Sequence, residues 1–451
     1  MAAAIGFLMI IVIVALLLKG KMSPIVVLAI VPTISALILG FVPTDILGFI
    51  ADGIKTTTSN GILFIFSVIY FGVLSDTGLF DVIVNWLVKK AGNNVIAVTV
   101  VTAMIATIAH LDGTTAVTVL ITIPAMYPVY KRMNIDARIL LCITGACMGV
   151  MNLLPWGGPT ARAATVLQMD ATELWHMLIP LQIVGLVMNS GIAVLLGMYA
   201  VKKGAGAGKG VEVETNEKEK AETEALKKSR GYLIFNFLLT VAVIAALSTG
   251  VGKSYVIFML GLCVLLAGNY PGQKILMLGL CILLAVNYPN QKTQDKLIKK
   301  HAPAALIISA TLFAAGAMVG IFDGTGMLEA MANAIMAVIP AAMGKYIHII
   351  FGILALPFGL CVGTDAYFYG IMPLVMQVGE TYGVASLNTA LTMLIGKNLA
   401  LMVSPLVPAT YLAIGLTGTE LKDHMKFSIP PYYVVSLIML VLGVILGIIS
   451  L

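Results

Sequence analysis

The segment TGLFDVIVN, residues 77–85, recurs as TGMLEAMAN, residues 325–333, at an offset of 248 positions along the chain. Two more pairs of segments match in the same order and at nearly the same offset: TEL at 172–174 and 419–421, and PWGGP at 155–159 with PLVP at 405–408. One short match arises by chance, but three in order indicate an internal duplication. The sequence therefore predicts two related halves.

A stretch of different composition separates these halves. Residues 202–230 run from a Gly/Ala-rich segment into NEKEKAETEALKKSR, a mixed-charge sequence typical of a solvated linker. We place the first repeat at residues 1–201 and the second at residues 231–451. Within 259–292 the second repeat carries a tandem duplication, because MLGLCVLLAGNYPGQK returns 18 positions later as MLGLCILLAVNYPNQK.

The composition is that of a membrane protein. Hydrophobic residues make up 60% of the chain and charged residues 11%, with a mean hydropathy of +1.02, whereas soluble domains carry about 25% charged residues. Apolar runs long enough to cross a lipid bilayer recur along most of the length. We expect a multi-pass protein of the bacterial inner membrane. Its net charge of +6 fits basic cytoplasmic loops and does not call for nucleic acid.

Two apolar segments, 95–129 and 346–378, are predicted to be re-entrant hairpins, each a pair of half-length helices. Each half then crosses the bilayer about five times, and an odd number inverts the second half relative to the first. With the N-terminus outside and the linker in the cytoplasm, only Lys55, Lys253 and Lys345 among the loop lysines and arginines fall outside, as the positive-inside rule requires. The predicted fold is all-α and polytopic, with two inverted repeats of about five transmembrane helices plus one hairpin each.

Few ionisable residues remain within the apolar segments, and such residues mark functional sites in membrane proteins by default. His110 and Asp112 lie at the tip of the first predicted hairpin, and Asp365 lies at the tip of the second. Arg162 follows the helix break at PWGGP, and Lys397 precedes the break at SPLVP. Backbone groups exposed at tips and breaks are tolerated at membrane depth only where they line a cavity. We predict that these five residues surround one binding site.

The charges of these residues suggest roles in transport. Arg162 and Lys397 can pair with substrate carboxylates, Arg162 through a bidentate fork. Asp112 and Asp365 can hold a metal cation or a coupling proton, and His110 titrates near physiological pH. Purely structural roles stay open: an internal ion pair for either cation, capping for the carboxylates, and a hydrogen bond for the histidine. Hydroxyl groups at the same places can line the site: Thr114, Thr115, Thr364 and Ser404.

No enzymatic motif is present in the sequence. The chain lacks a Walker loop, H-E-x-x-H and G-x-S-x-G, and the GAGAGKG of the linker lacks the spacing of a phosphate-binding loop. We therefore predict neither an enzyme nor an ATP-driven pump, and no bound cofactor.

Four motifs resemble the citrate–metal/proton symporter family (CitMHS) of the ion transporter superfamily: AHLDG, LLPWGGPTARAA, GTDAYFYGIMPL and GKNLALMVSPLVPATYLAIGL. The resemblance covers nearly the whole chain. It implies symport of protons with citrate complexed to a divalent cation such as Mg²⁺ or Ca²⁺. It also implies an elevator-type fold, in which a transport domain moves against a scaffold, and a homodimer. By position, it adds two glycines and an asparagine to the site: Gly157, Gly158 and Asn398.

The chain departs from the family pattern at the first tip, where Thr114 and Thr115 follow HLDG and one carboxylate is missing. This departure leaves open another di- or tricarboxylate, or a different coupling ion. Two alternatives share the architecture: a Na⁺-coupled carboxylate carrier, and a cation/proton antiporter in which Arg162 and Lys397 would lack an evident purpose. A membrane scaffold or sensor that transports nothing is disfavoured, because no sizeable soluble segment exists beyond the linker.

Overall fold

The computed structural model describes residues 1–19, 22–206, 230–269, 291–337 and 341–451. All regular structure in these ranges is helical, and seven helical stretches there are long and apolar enough to cross a bilayer. The predicted all-α membrane fold is therefore confirmed. The helices, in chain order, are α1 Ala2–Lys19, α2 Pro24–Ile38, α3 Pro43–Asp76, α4 Leu79–Ala91, α5 Val95–Ala109, α6 Thr115–Arg132, α7 Ala137–Met151, α8 Gly158–Val166, α9 Ala171–Lys202, α10 Arg230–Thr249, α11 Ser254–Asn269, α12 Gln291–Thr325, α13 Met327–Met336, α14 Ala341–Gly344, α15 Ile347–Cys361, α16 Met372–Thr381, α17 Ser386–Lys397, α18 Pro408–Thr417 and α19 Leu421–Ile445.

The spacing of the helices along the chain agrees with two related halves. Helices α12, α13, α17, α18 and α19 begin 248 to 250 residues after α3, α4, α7, α8 and α9, respectively. Helix α11 begins only 230 residues after α2, so the offset grows by 18 residues between α11 and α12. Most of the predicted linker and of the tandem duplication lies outside the described residues. The repeat boundaries and the inverted orientation of the second half stay predictions.

Each predicted hairpin consists of two helices joined by a short tip. The first begins where the Asn94 side chain caps α5 by accepting hydrogen bonds from two backbone amides. Its 15 residues reach about 22 Å, which is short of the ~30 Å hydrocarbon core. A short 3₁₀ turn, His110–Asp112, and Gly113 in the left-handed region (φ +73°) reverse the chain into α6. By length and composition alone Val95–Asp112 counts among the seven candidate spans, so re-entry stays a prediction.

The second hairpin has a different tip. Helix α15 ends at Cys361, and the chain passes through residues 362–365 into a π-helical segment, Ala366–Ile371, before α16 begins. Single turns of π-helix cost regular hydrogen bonding and occur frequently at functional sites. Both hairpins therefore place irregular backbone at their tips, next to the predicted site carboxylates Asp112 and Asp365.

Both predicted helix breaks are present. Helix α7 ends at Met151, and α8 starts at Gly158 after a turn that contains Pro155. In the second half, α17 ends at Lys397 and the chain continues as a 3₁₀ helix, Asn398–Val403, before α18. The α-helix thus ends earlier than the sequence pattern predicts. Pro405 has no amide hydrogen to bond four residues back, which ends this helical run before α18 begins.

The described helices form two compact units. One draws on Met1–Asn60, Ala91–Val211 and Ala310–Leu451, and it contains both hairpins, both breaks and every predicted site residue. In this unit, α3 and α12 approach so closely that a side chain added at Gly53 or Gly320 would collide with the backbone of the other helix. Small residues at such crossings let helices pack by van der Waals contact, since lipid offers no hydrophobic driving force between them.

The other unit draws on Gly61–Lys90 and Glu212–Ser309. Its helices are linked by buried polar pairs: the Tyr70 hydroxyl lies 3.2 Å from that of Thr240, and Asn236 donates to Asn269 at 2.8 Å. At the end of α3, the Asp76 carboxylate pairs with Lys300 at 2.6 Å and with His301 at 2.8 Å. This unit contains none of the predicted site residues.

Candidate functional site

The Asp112 carboxylate at the first tip accepts hydrogen bonds from its own loop. Asp112 is buried; its Oδ1 accepts a hydrogen bond from the Thr114 amide at 2.9 Å, and its Oδ2 accepts one from the Thr114 hydroxyl at 2.6 Å. These bonds close a turn around Gly113 and fix the start of α6. The geometry is that of the capping role left open for Asp112, and it also occupies the hydroxyl of Thr114.

His110 ties the first tip to the first helix break. It is fully buried, with Nδ1 at 2.6 Å from the Thr118 hydroxyl and Nε2 at 3.2 Å from Oδ1 of Asn152. The Thr118 hydroxyl also donates to the Thr114 carbonyl at 2.9 Å, which links His110 through Thr118 to the start of α6. Asn152, which sequence reasoning did not single out, is the first residue after α7 and reaches the tip from the break.

The break itself packs directly against the tip. The Trp156 indole donates to the Leu111 carbonyl at 2.7 Å, and a methyl group added at Gly113 would lie only 2.8 Å from the Trp156 carbonyl oxygen. Gly157 is equally confined, since an added methyl group would lie 2.5 Å from the Asn152 carbonyl. At Gly158 the added methyl group would lie 2.8 Å from Nη1 of Arg162. These glycines make room for the backbone and for the arginine.

Arg162 and Asp365 form an ion pair between the two halves of the sequence. Nε of Arg162, on α8, donates to Oδ1 of Asp365 at 2.6 Å, and each side chain is 22% exposed. The structure thus brings together a residue of the first break and a residue of the second tip, which are 203 positions apart. In this state the partner of Arg162 is a protein carboxylate, the structural role that the sequence left open.

Lys397 ends α17 in an aromatic setting. The side chain is 2% exposed, and Nζ lies 5.4 Å from the centre of the Tyr367 ring and 5.0 Å from that of Phe368. Within the described part of the chain, no carboxylate lies within 4.0 Å of Nζ. Both rings belong to the π-helical segment that follows Asp365. The second tip therefore meets both predicted substrate-binding cations, one with a carboxylate and the other with two ring faces.

The neighbouring Asn398 is the least satisfied polar residue of the site. It is 3% exposed, and neither its amide nitrogen nor its amide oxygen has a hydrogen-bond partner among the described residues. A buried polar group without a partner costs about 1–3 kcal/mol, so such a group points to a ligand. Ser404, in contrast, is held by the Leu406 amide at 3.3 Å. Two other predicted lining residues, Thr115 and Thr364, are partly buried at the two tips.

Tyr369 was missed by sequence reasoning. It is fully buried in the π-helical segment, and its hydroxyl has no hydrogen-bond partner in the described ranges. The Arg162 and Asp365 charges both act on this hydroxyl, so it lies within electrostatic range of the ion pair. The available signal was the run AYFYG directly after Thr364 and Asp365, but tyrosines are common in membrane helices and do not mark a site on their own.

The site has no dedicated metal cage among the described residues. There, no group of three or more histidine, cysteine, aspartate or glutamate side chains comes together. The two predicted metal candidates are bonded separately, Asp112 to Thr114 and Asp365 to Arg162.

The chain was compared with known proteins. The family model described as "Citrate transporter" (CitMHS) matches residues 3–396. A citrate transporter of Bacillus subtilis (strain 168) is 35% identical over 450 residues, which cover 100% of both chains. The Mg(2+)/citrate complex secondary transporter of the same organism is 33% identical over 450 residues, 100% of this chain and 99% of that protein.

A solved structure shares the fold. The crystal structure of the YdaH transporter of Alcanivorax borkumensis, described as having an unusual topology, aligns with a TM-score of 0.55 at 14% identity and covers 87% of each chain. At this identity the likeness concerns the fold alone. The sequence matches show the family as well as the fold, since one family model spans most of the chain and two relatives match it from end to end. The resemblance seen in the motifs is thereby confirmed, and the chain belongs to the citrate transporter family.

Proposed function

We propose that this protein is a secondary transporter that carries citrate, as a complex with a divalent cation, together with protons across the bacterial cell membrane. Membership of the citrate transporter family supports the substrate class. A relative named for the Mg(2+)/citrate complex supports the metal complex. Proton coupling and a homodimer are what the resemblance of the motifs implies, and the inner membrane is inferred from the composition.

The observation that carries the proposal is the surplus positive charge at the second tip. Arg162 is balanced by Asp365, whereas Lys397 faces two aromatic rings. A citrate trianion joined to a divalent cation carries a single negative charge, so the complex and the one proton that Asp365 would take up together add no net charge to the site. Free citrate would bring two further negative charges to membrane depth, where net charge is costly. The site therefore suits the complex better than the free anion.

The unsatisfied amide of Asn398 and hydroxyl of Tyr369 support an oxygen-rich ligand. The amide can donate to a carboxylate and accept from the central hydroxyl of citrate, and the tyrosine can donate to a carboxylate held at Arg162. Citrate's own carboxylates and hydroxyl would supply most of the metal ligands, since Mg²⁺ and Ca²⁺ prefer oxygen.

The Arg162–Asp365 pair offers a mechanism for proton coupling. The pair uses Nε of Arg162, so a substrate carboxylate that takes Nε together with a terminal nitrogen as a bidentate pair would displace Asp365. A released carboxylate at membrane depth is costly while charged, so it would take up a proton. Substrate and proton would then enter together. Re-formation of the ion pair after substrate release would expel the proton.

The test is uptake of labelled citrate into proteoliposomes that contain the purified full-length protein. We expect saturable uptake that needs Mg²⁺ or Ca²⁺, is abolished by EDTA, is driven by an inward proton gradient and persists when K⁺ replaces Na⁺. A strict need for Na⁺ would instead favour the Na⁺-coupled carboxylate carrier. Cation movement against protons without citrate would favour the antiporter.

Two variants in the same assay test the roles of the pair. Arg162→Ala should lower the efficiency of uptake at least about thirtyfold, since losing one partner of a buried charge contact costs 2 kcal/mol or more. Asp365→Asn should keep citrate exchange but lose the response to the proton gradient, because no group remains to take up the proton.

Arg132→Ala is the matched control, because Arg132 is exposed at the end of α6. The double variant Arg162→Gln with Asp365→Asn removes both charges together and separates loss of transport from loss of folding. Full uptake by folded Arg162→Ala protein would contradict the proposed role of this residue.

A further inference from the structure

A cavity lies away from the residues of the proposed citrate site. It has a volume of about 400 Å³ and lies between the connection from α6 to α7 and the end of α9. The backbone amide of Gly206 donates to the Met133 carbonyl at 2.8 Å and joins these two chain segments into one wall. The lining includes both polar and charged side chains: Asn134, Asp136, Arg138, Tyr199 and Lys203.

An ion pair lines the cavity. Nε of Arg138 donates to the Asp136 carboxylate at 2.9 and 3.0 Å, and the Arg138 guanidinium also lies over the Phe427 ring at 5.4 Å. Partial burial acts to raise the pKa of Asp136, but the bonds from Arg138 outweigh it and hold that pKa below its usual range. Asp136 therefore stays ionised and fixes Arg138 in place.

The charge around the cavity is positive once this pair is discounted. Lys203 remains, with its Nζ 5.9 Å from the centre of the Tyr199 ring, and one further carboxylate, Asp423, acts on Arg138. The adjoining helix ends add further cations in their last turns: Lys131, Arg132 and Lys202. A cavity of this kind attracts an anion.

The position of the cavity along α9 favours a lipid headgroup as the source of the anion. It lies where α9, a 32-residue candidate span, ends at Lys202. Tyr199, one turn earlier, is 42% exposed, and an exposed tyrosine at the end of a membrane helix is typical of the level of the lipid headgroups. Basic pockets between helix ends at this level suit the phosphates of anionic lipids.

We propose that this cavity binds the phosphate of an anionic phospholipid headgroup, with Lys203 as the principal cation and the Asp136-anchored Arg138 as the second donor. The bonds to Asp136 use Nε and Nη2 of Arg138, so the Nη1 amino group is the part that can reach a phosphate oxygen. This proposal is independent of the citrate site.

The test uses full-length protein in nanodiscs of phosphatidylcholine alone or mixed with phosphatidylglycerol or cardiolipin, with the retained lipids counted by native mass spectrometry. We expect selective retention of the anionic lipid. Lys203→Gln should weaken that retention about fivefold, the effect of one cation near a membrane surface. Lys345→Gln, an equal change of charge at another exposed lysine, should leave it unchanged.

A variant that fills the cavity distinguishes lipid binding inside the cavity from general electrostatic attraction of anionic lipid to the basic surface. Ala205 lines the cavity and is 9% exposed, so Ala205→Met keeps all charges but takes up the space. Retention should fall in this variant as well. Unchanged retention in Ala205→Met or Lys203→Gln, or no preference for anionic lipid in the unmodified protein, would overturn the proposal. Equal binding of soluble glycerol phosphate would identify a free anion as the ligand and exclude the lipid.

Discussion

Removal of the Tyr369 hydroxyl is expected to affect stability and transport in opposite directions. It is buried without a hydrogen-bond partner in the described part of the chain, and such a group destabilises a fold by about 1–3 kcal/mol. Tyr369→Phe should therefore leave the melting temperature unchanged or raise it. If the hydroxyl binds a substrate carboxylate, the same change should raise KM for citrate roughly tenfold or more. Thermal unfolding and uptake kinetics on one preparation measure both effects.

Tyr432→Phe is the control for this experiment. Tyr432 is equally buried, but its hydroxyl donates to the Cys142 carbonyl at 2.8 Å. Its loss should lower stability and leave KM unchanged, the reverse of the Tyr369 pattern. A Tyr369→Phe protein that unfolds more easily but transports with normal KM would assign Tyr369 to the fold and not to the site.

At the residue scale, the sequence could predict which side chains gather but not how they are paired. Arg162, Lys397 and Asp365 stand out because charges are rare in apolar segments. Nothing in the pattern says that Asp112 is bonded within its own turn while Asp365 reaches across 203 positions to an arginine. Partners distant in sequence are set by packing, which one sequence does not reveal. The unsatisfied Asn398 amide is visible only in three dimensions.

Among the secondary-structure elements, tips and breaks are better predicted than the backbone within them. Gly113 and Pro155 end regular helix for local reasons, left-handed geometry and a missing amide, so their positions can be read from the chain. The π-helical segment Ala366–Ile371 and the 3₁₀ segment Asn398–Val403 carry no comparable signal. Their winding depends on neighbouring helices, and they present Tyr369 and Asn398 to the site.

Gly113 is expected to be essential for close packing of the first hairpin tip against the first helix break, at Trp156. Alanine there must adopt φ +73° and would lie 2.8 Å from the Trp156 carbonyl. The left-handed backbone costs about 1–2 kcal/mol, and the overpacking adds roughly 1–3 kcal/mol. We expect Gly113→Ala to lower the melting temperature and to reduce uptake strongly. Fluorescence-detected unfolding and proteoliposome uptake measure the two effects.

Gly418→Ala separates the two causes, because Gly418 has φ +66° and nothing within 4 Å of an added methyl group. It incurs the backbone strain without the collision and should keep most of the transport. Equal losses in the two variants would mean that strain alone matters and that close packing of the tip on Trp156 does not.

On the scale of the whole molecule, the sequence repeats and the compact units divide the chain differently. The repeats split it once, near the linker, whereas one compact unit takes Met1–Asn60 and Ala91–Val211 from the first half and Ala310–Leu451 from the second. Duplication is visible in sequence because it preserves order and spacing. Compactness depends on contacts between segments far apart in sequence, so it could not be predicted from the repeat.

Inversion of the two halves predicts that the hairpins are flanked by loops on opposite faces of the membrane. Lys131 ends the first hairpin and Lys345 precedes the second, and both are exposed. In a background with Cys263, Cys281 and Cys361 replaced by serine, a membrane-impermeant maleimide should label Lys345→Cys in intact cells. It should label Lys131→Cys only in inside-out vesicles. The odd number of crossings in each half is the reason, because an even number would return both loops to one face. Labelling of both positions from the same side would rule out inverted repeats, and with them the proposed entry of the two tips from opposite faces.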